Sequence, residues 1–437
     1  MIDKHTSLDG LTDEANGHPA FLALPPNDRA LVRAILLAAL RHRTQIEAVI
    51  AHRLDRPLPA NARALSHHLH VGAAQVLLLD VPDRAAIDLA VEAVARDPRT
   101  KRFSGLANAI LRRLAREKER VAGWMEANPP GAPDWLEAAL RDAYGPERTA
   151  AILAAHGHEP PLDITVKGEP AAWAERLGGT VLPNGSVRLA AFEGAVTALP
   201  GFGEGEWWVQ DAAAAMPARL TGAAPGKRVL DLCAAPGGKT AQLAAIGAEV
   251  TAVEINANRA RRLAANLERL GLEARVVVGD AFKLDRELGA PFDAVLVDAP
   301  CSSTGTIRRH PDVAWTKTPE DVAKLADLQG RLLARASKWV VPGGVLVFAN
   351  CSLLPEEGEA VADAFLASHA EFRVDPIDEG ELGRGEAASG DEVLLAPLVS
   401  EGRLRATPDL WPAATLGLHG NAGGMDGFFA ARFRRIS

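Results

Sequence analysis

The chain runs to 437 residues, 48% of them hydrophobic and 24% charged. That length allows two or three domains with ordinary buried cores. No apolar run approaches the roughly 18 residues that a membrane-spanning helix needs. The start, Met1-Ile2-Asp3-Lys4-His5, lacks the basic stretch and apolar segment of an export signal, so a cytoplasmic location is expected. Only three cysteines occur, none in a close pair, which excludes a disulfide scaffold or a zinc finger. The net charge of −8 is unevenly spread: between Asp28 and Arg120, 17 Lys and Arg face 10 Asp and Glu, an excess of seven positive charges. The remainder therefore carries about −15. A basic module joined to an acidic one suits docking of an anionic polymer on one part. On charge alone, a solvated basic surface fits equally well.

Residues 1–26 read as irregular and end in Pro25-Pro26. Asn27 or Asp28 can then cap a helix with apolar positions at Leu31, Ile35, Leu36 and Leu40. The spacing predicts further helices over 44–54, 61–79, 82–95 and 105–120, punctuated by Pro57, Pro59, Pro82 and Pro98. Residues 27–145 are thus expected to form an all-α domain. Its stretches Val71 to Leu77, Ala85 to Glu92 and Gly105 to Arg113 resemble the NusB-like RNA-binding helical domain. Their glycines and alanines would let helices pack closely. The resemblance implies RNA as a partner. His67, His68 and His70 have no second cluster at ligand spacing, so no metal is expected.

From Pro160 the texture changes. Leu162-Asp163-Ile164-Thr165-Val166 and Val187-Arg188-Leu189 look like strands around a short helix near residues 172–177. Residues 146–205 are therefore expected to be a small α+β connector. Residues 206–437 alternate strands with helices, which predicts a Rossmann-like α/β domain with a mostly parallel sheet.

Arg228 to Cys233 forms a strand-like run that leads into Ala234-Ala235-Pro236-Gly237-Gly238 and a helix from Lys239. Glycines there let the backbone approach a ligand, and the helix start offers free N–H groups. Gly238-Lys239-Thr240 matches the end of a Walker A loop, but Cys233 stands where the first glycine belongs. A dinucleotide-binding glycine pattern fails at the same place. The methyltransferase form, an acid followed by small residues at alternate positions, is met by Asp231, Cys233, Ala235 and Gly237. The next strand ends in Glu254, 23 residues after Asp231, where a carboxylate can accept from both ribose hydroxyls. A third strand places Asp280 where it could hold an adenine amino group. Turn, ribose acid and adenine acid in register point to S-adenosylmethionine rather than ATP. Residues 258–270 read as an amphipathic helix, with Arg259, Arg261 and Arg262 on a solvated face.

Two cysteines follow strand-like runs, one in Asp298-Ala299-Pro300-Cys301 and one in Asn350-Cys351-Ser352. Amino-group methyltransferases commonly carry an aromatic residue where Cys301 stands. A thiol does little for an exocyclic amine, but C5 of a pyrimidine becomes nucleophilic only once a thiolate has added at C6. Asp298 could protonate or hydrogen-bond N3 during that addition. Residue type alone favours a small buried hydrophobe for each cysteine, and their placement after Asp-Ala-Pro and before Ser-Leu-Leu-Pro-Glu-Glu reverses that.

Asp231 to Thr240, Asp298 to Cys301 and Asn350 to Glu357 look like the Sun/Nop family of RNA 5-methylcytosine methyltransferases. Cys301 to Asp312 is similar to its RsmB-type bacterial branch, which acts on 16S rRNA, and Met425 to Ala430 extends the likeness. The resemblance implies that Cys351 attacks the base and that Cys301 assists its release. It also implies that Cys233, Ala234, Ala235, Pro236, Gly237, Gly238, Lys239, Glu254, Asp280 and Asp298 line the cofactor pocket. Position 350 is usually threonine in the family, and Asn350 keeps a hydrogen-bonding side chain there. Arg308, Arg309, His310 and Lys317 are expected to meet phosphates, with Trp315 stacking or packing nearby. Trp207-Trp208 resembles the family's entry into the catalytic domain. The expected enzyme is cytoplasmic, with small-subunit rRNA as substrate, and the sequence leaves its oligomeric state open, a monomer being favoured. The alternatives are the same chemistry on tRNA or 23S rRNA, a P-loop NTPase, and a non-catalytic RNA-binding module.

Overall fold

The structure, a computed structural model, describes residues 6–14, 16–59, 61–192, 194–289, 291–383 and 391–437. The chain forms two compact units. One holds residues 1–158 together with 307–317, and the other holds 159–306 and 318–437.

The first unit is helical. Its main helices are Pro26–Arg41, Arg43–Ala51, Arg63–Leu78, Asp83–Arg96, Ser104–Arg116, Lys118–Ala127 and Asp134–His156. Leu65, Leu69, Ile87, Val94, Ile110, Leu111 and Leu114 are buried in its core. Gly72 shows why small residues are needed: a Cβ there would lie 2.9 Å from Leu111 and 3.0 Å from Ala90. The stretch expected to be irregular contains two short helices, Leu8–Leu11 and Pro19–Leu22. Ser7 caps the first by accepting from the Gly10 N–H at 3.1 Å. Helical structure also runs past residue 145. Gly145, with φ 75° and ψ 167°, breaks this last stretch into two helices, the second opening at Pro146.

The second unit opens with a small antiparallel sheet. Its strands are β1 (Leu162–Val166), β2 (Thr180–Val181), β3 (Val187–Leu189) and β4 (Trp207–Val209), in the order β2-β3-β1-β4. The expected end near residue 205 falls short, because β4 pairs with β1. Trp207 and Trp208 are buried, Trp207 within this sheet's own core. Arg188 and Asp163, both fully buried, form a bidentate pair with two contacts of 2.7 Å. Arg188 also donates to the Ala422 carbonyl at 3.0 Å, and Asp163 accepts from the Ala212 N–H at 3.2 Å. Removing one partner strands a charge in the interior. Asp163→Ala is therefore expected to cost roughly 3–5 kcal/mol in urea unfolding.

The large sheet contains β5 (Arg228–Leu232), β6 (Glu249–Glu254), β7 (Arg275–Val278), β8 (Phe292–Asp298), β9 (Val340–Asn350), β10 (Phe372–Val374), β11 (Val399–Ser400), β12 (Arg403–Ala406) and β13 (Phe428–Arg435). Their order is β11-β12-β13-β9-β8-β5-β6-β7, with β10 also paired to β13. Strands β5 to β9 run parallel, and the β13 side is antiparallel. The sheet is thus mixed. Along β9, Val345, Val347 and Ala349 enter one core, while Leu346 and Phe348 enter the other. Covering on both faces explains the continuous apolar runs. Because β6 and β8 flank β5, the strand order reverses at β5. A ligand crevice is expected at the carboxyl end of that strand.

Candidate active site

The turn after β5 occupies this switch point. Cys233 adopts a left-handed backbone (φ 62°), uncommon for a residue with a side chain, and Gly237 has φ 105°. Gly237 begins the helix Gly238–Ala245 without a side-chain cap, so its first N–H groups face outward, as an anionic or polar ligand requires. The turn is braced from outside: Arg259 donates to the Ala235 carbonyl at 2.6 Å and Asn266 to that of Pro236 at 2.9 Å. Arg259 was expected on a solvated face. It is exposed there, and its side chain also supports the turn and lies 3.6 Å from Glu254, a tertiary role its helical position does not signal.

Asp231 is fully buried, accepts from the Thr240 hydroxyl at 2.6 Å, and is pushed up to about 7 by burial. Burial likewise pushes the Cys233 thiol up to about 12. Glu254 ends β6 and accepts from the Asn256 N–H at 2.9 Å through Oε1. Its Oε2 is buried and accepts no hydrogen bond, with the Arg259 guanidinium 3.6 Å from it as an ion-pair partner. An acceptor in that state fits the ribose hydroxyls of an adenosyl ligand. Asp280 follows β7 and accepts from the Phe282 N–H at 3.1 Å.

The next two parallel strands bring the cysteines together. Asp298 at the end of β8 is opposite Ala349 near the end of β9. Cys301 and Cys351 therefore leave the sheet at the same edge. Their sulfurs are 3.4 Å apart, both are free thiols, and both are half-buried. With Cys301 as donor, the shared hydrogen bond holds the Cys351 thiol below its ordinary value. The same bond, reinforced by burial, pushes Cys301 well up. The two thiols therefore titrate as a pair, the proton of one shared with the sulfur of the other. Nearby, Lys239 donates to Asp298 at 2.8 Å and sits 4.7 Å from the centre of the Phe428 ring. The Lys239–Asp298 pairing joins two residues named separately from the sequence. Gly305, just beyond Cys301, packs directly on the Gly427 backbone and leaves no room for a Cβ.

The residues expected to meet phosphates all fall in one short segment. Segment 307–317 belongs to the helical unit. Arg308 is buried there, and its carbonyl accepts from Arg41 at 2.9 Å. His310 contacts Asp9 at 3.1 Å, while Arg309 and Lys317 are half-buried. Trp315 packs: its indole donates to the Leu40 carbonyl at 3.1 Å, and Arg43 lies 4.5 Å over the ring.

The profile of the 16S rRNA methyltransferase RsmB/F family matches residues 220–434, and that of the NusB family matches residues 3–116. Ribosomal RNA small subunit methyltransferase B of Vibrio cholerae is 35% identical over 400 residues, 86% of this chain and 92% of that protein. The chain belongs to the RsmB/F family. The relative of the same name from Pseudomonas syringae is 38% identical over 360 residues, 78% of this chain and 79% of its own. Among solved structures, PH0851 superposes with a TM-score of 0.67 at 23% identity, covering 94% of this chain and 91% of its own. A methyltransferase homologue from Pyrococcus horikoshii gives 0.54 at 25% identity, over 70% and 96%. An RsmB/F member is an S-adenosylmethionine-dependent rRNA methyltransferase, which fits the acid and turn geometry above. Glu254→Ala, which removes the buried acceptor, is expected to weaken S-adenosylmethionine binding roughly 10- to 100-fold by calorimetry. An unchanged affinity would remove Glu254 from the site.

Proposed function

We propose that the protein methylates C5 of a cytosine in 16S rRNA, with Cys351 adding to C6 and Cys301 assisting release. The observation that carries this reading is the pair of sulfurs 3.4 Å apart, beside the Lys239–Asp298 pair. When bound, S-adenosylmethionine supplies an electrophilic methyl group. Cys233 to Lys239, Glu254, Asp280 and Asp298 would hold it. The Cys351 thiolate forms a bond to C6, and electron density moves to C5. Asp298, fixed by Lys239, passes the proton given up by Cys351 to N3 as the C6–sulfur bond forms and takes it back when that bond breaks. Once C5 is methylated and has lost its proton to a base, the C6–sulfur bond breaks. Cys301 then donates a hydrogen bond to the departing Cys351 sulfur.

The basic helical unit, with its NusB match, would supply affinity for the RNA. The target base must leave its stack to admit a thiol to C6. We place the enzyme in the cytoplasm, acting as a monomer without a metal. The deciding assay offers labelled S-adenosylmethionine with 16S rRNA, 23S rRNA and tRNA, and maps the product by bisulfite sequencing. Label on 16S rRNA as 5-methylcytosine is the expected result. Label on the exocyclic nitrogen, or on tRNA or 23S rRNA alone, sinks the reading.

A further inference from the structure

Beyond the pair itself, both cysteine loops converge on one carboxylate. Glu357 is fully buried. Its Oε1 accepts from the Ser302 N–H at 2.8 Å and from Gln329 Nε2 at 3.1 Å. Its Oε2 accepts from the Ser352 hydroxyl at 2.6 Å and from the Ser302 hydroxyl. Ser302 directly follows Cys301, and Ser352 directly follows Cys351. The residues before each cysteine are tied to the same point. Gln329 also donates to the Pro300 carbonyl at 2.9 Å. Asn350 donates to the Glu357 carbonyl at 2.6 Å and accepts from the Ser352 N–H at 2.9 Å.

A buried carboxylate without donors is costly, and here neutral groups alone satisfy it among the described residues. Such an arrangement resists rearrangement, because each of its donors is also a joint of a cysteine loop. We propose that Glu357 is a positioning residue for the two thiols, setting their separation through Ser302 and Ser352. This rests on the covalent reading above. Catalytic geometry is sensitive at this scale, since a misplacement of about 1 Å can cost about 10²-fold in rate. The negative charge of Glu357 also adds to the forces that push the Cys301 thiol up. Both cysteine loops thus trace to one side chain, whose charge adds a smaller push on Cys301 to those of the Cys351 hydrogen bond and burial.

The test is Glu357→Gln, which keeps the volume, removes the charge and turns one acceptor into a donor facing two hydroxyls. With full-length enzyme and 16S rRNA, kcat is expected to fall about 10- to 100-fold at unchanged S-adenosylmethionine affinity. The denaturant-resistant protein–RNA adduct should accumulate. In a Cys351→Ser background, alkylation of Cys301 by iodoacetamide should titrate at lower pH once the charge is gone. Glu357→Asp should keep that titration near the parent's, because it retains the charge. A rate loss that follows only a lower Tm or weaker cofactor binding, with the Cys301 titration unmoved, overturns the proposal. If the Gln variant does not fold, Ser352→Ala and Ser302→Ala each remove one tie, and adduct accumulation decides in the same way. Cys351→Ala separates the two readings: an active Cys351→Ala enzyme defeats covalent catalysis. An inactive one, beside a Glu357→Gln enzyme with an unmoved Cys301 titration and no adduct, defeats only the positioning role.

Discussion

Replacing Cys351 with alanine is expected to abolish methyl transfer, lowering incorporation of labelled methyl into 16S rRNA by at least ~10³-fold. Cys351 lies directly past β9, and its acidity is raised by the Cys301 hydrogen bond. Without it, C5 of cytosine has no route to enamine character, and the remaining machinery would only hold an unreactive base beside the methyl donor. Cofactor affinity should be unchanged, since Glu254 and the turn after β5 are untouched. That pairing of a lost rate with intact binding separates chemistry from unfolding. More than a tenth of the parent rate in Cys351→Ala would end the covalent account.

Cys301→Ala should fail at the other end of the reaction. Addition and methylation need Cys351, but expulsion is helped by a donor at the departing sulfur. A protein–RNA adduct that survives denaturant should therefore accumulate, visible as a slow-migrating band carrying both label and protein. A second effect follows from the same contact. The Cys301 thiol stabilises the Cys351 thiolate, and its removal disfavours that charged form. The Cys351 pKa should rise, so its alkylation titrates at higher pH in Cys301→Ala than in the parent. If the adduct instead accumulates in Cys351→Ala, the roles are reversed.

Strand ends carried most of what was legible in the sequence. Asp231, Glu254, Asp280 and Asp298 each close or follow a β-branched run, and the parallel sheet brings those ends to one edge. The nearness of Cys301 and Cys351 follows from the register of β8 on β9, which needs the strand order and not just the motif. What escaped was long-range. β4 belongs to the small sheet because it pairs with β1, which no local signal announces. Arg259 sits at a solvated helical position, yet its long side chain reaches back to the turn. Glu357 was visible only as the last letter of a motif. Its function emerges from bonds to residues 55 positions away. Arg308 carries the chemistry of an RNA contact, but tertiary packing buried its side chain within the helical unit.

That placement bears on how the molecule can be taken apart, by experiment or by descent. The helical unit is completed by eleven residues that begin six positions after Cys301. Asp312 accepts from the Leu8 N–H at 2.9 Å, and Trp315 closes over Leu40. A fragment ending at His158 therefore lacks part of its own interior, and no single cut frees the unit whole. Exchange of this domain between relatives must carry the segment with it, so its inheritance is bound to that of the cysteine loop.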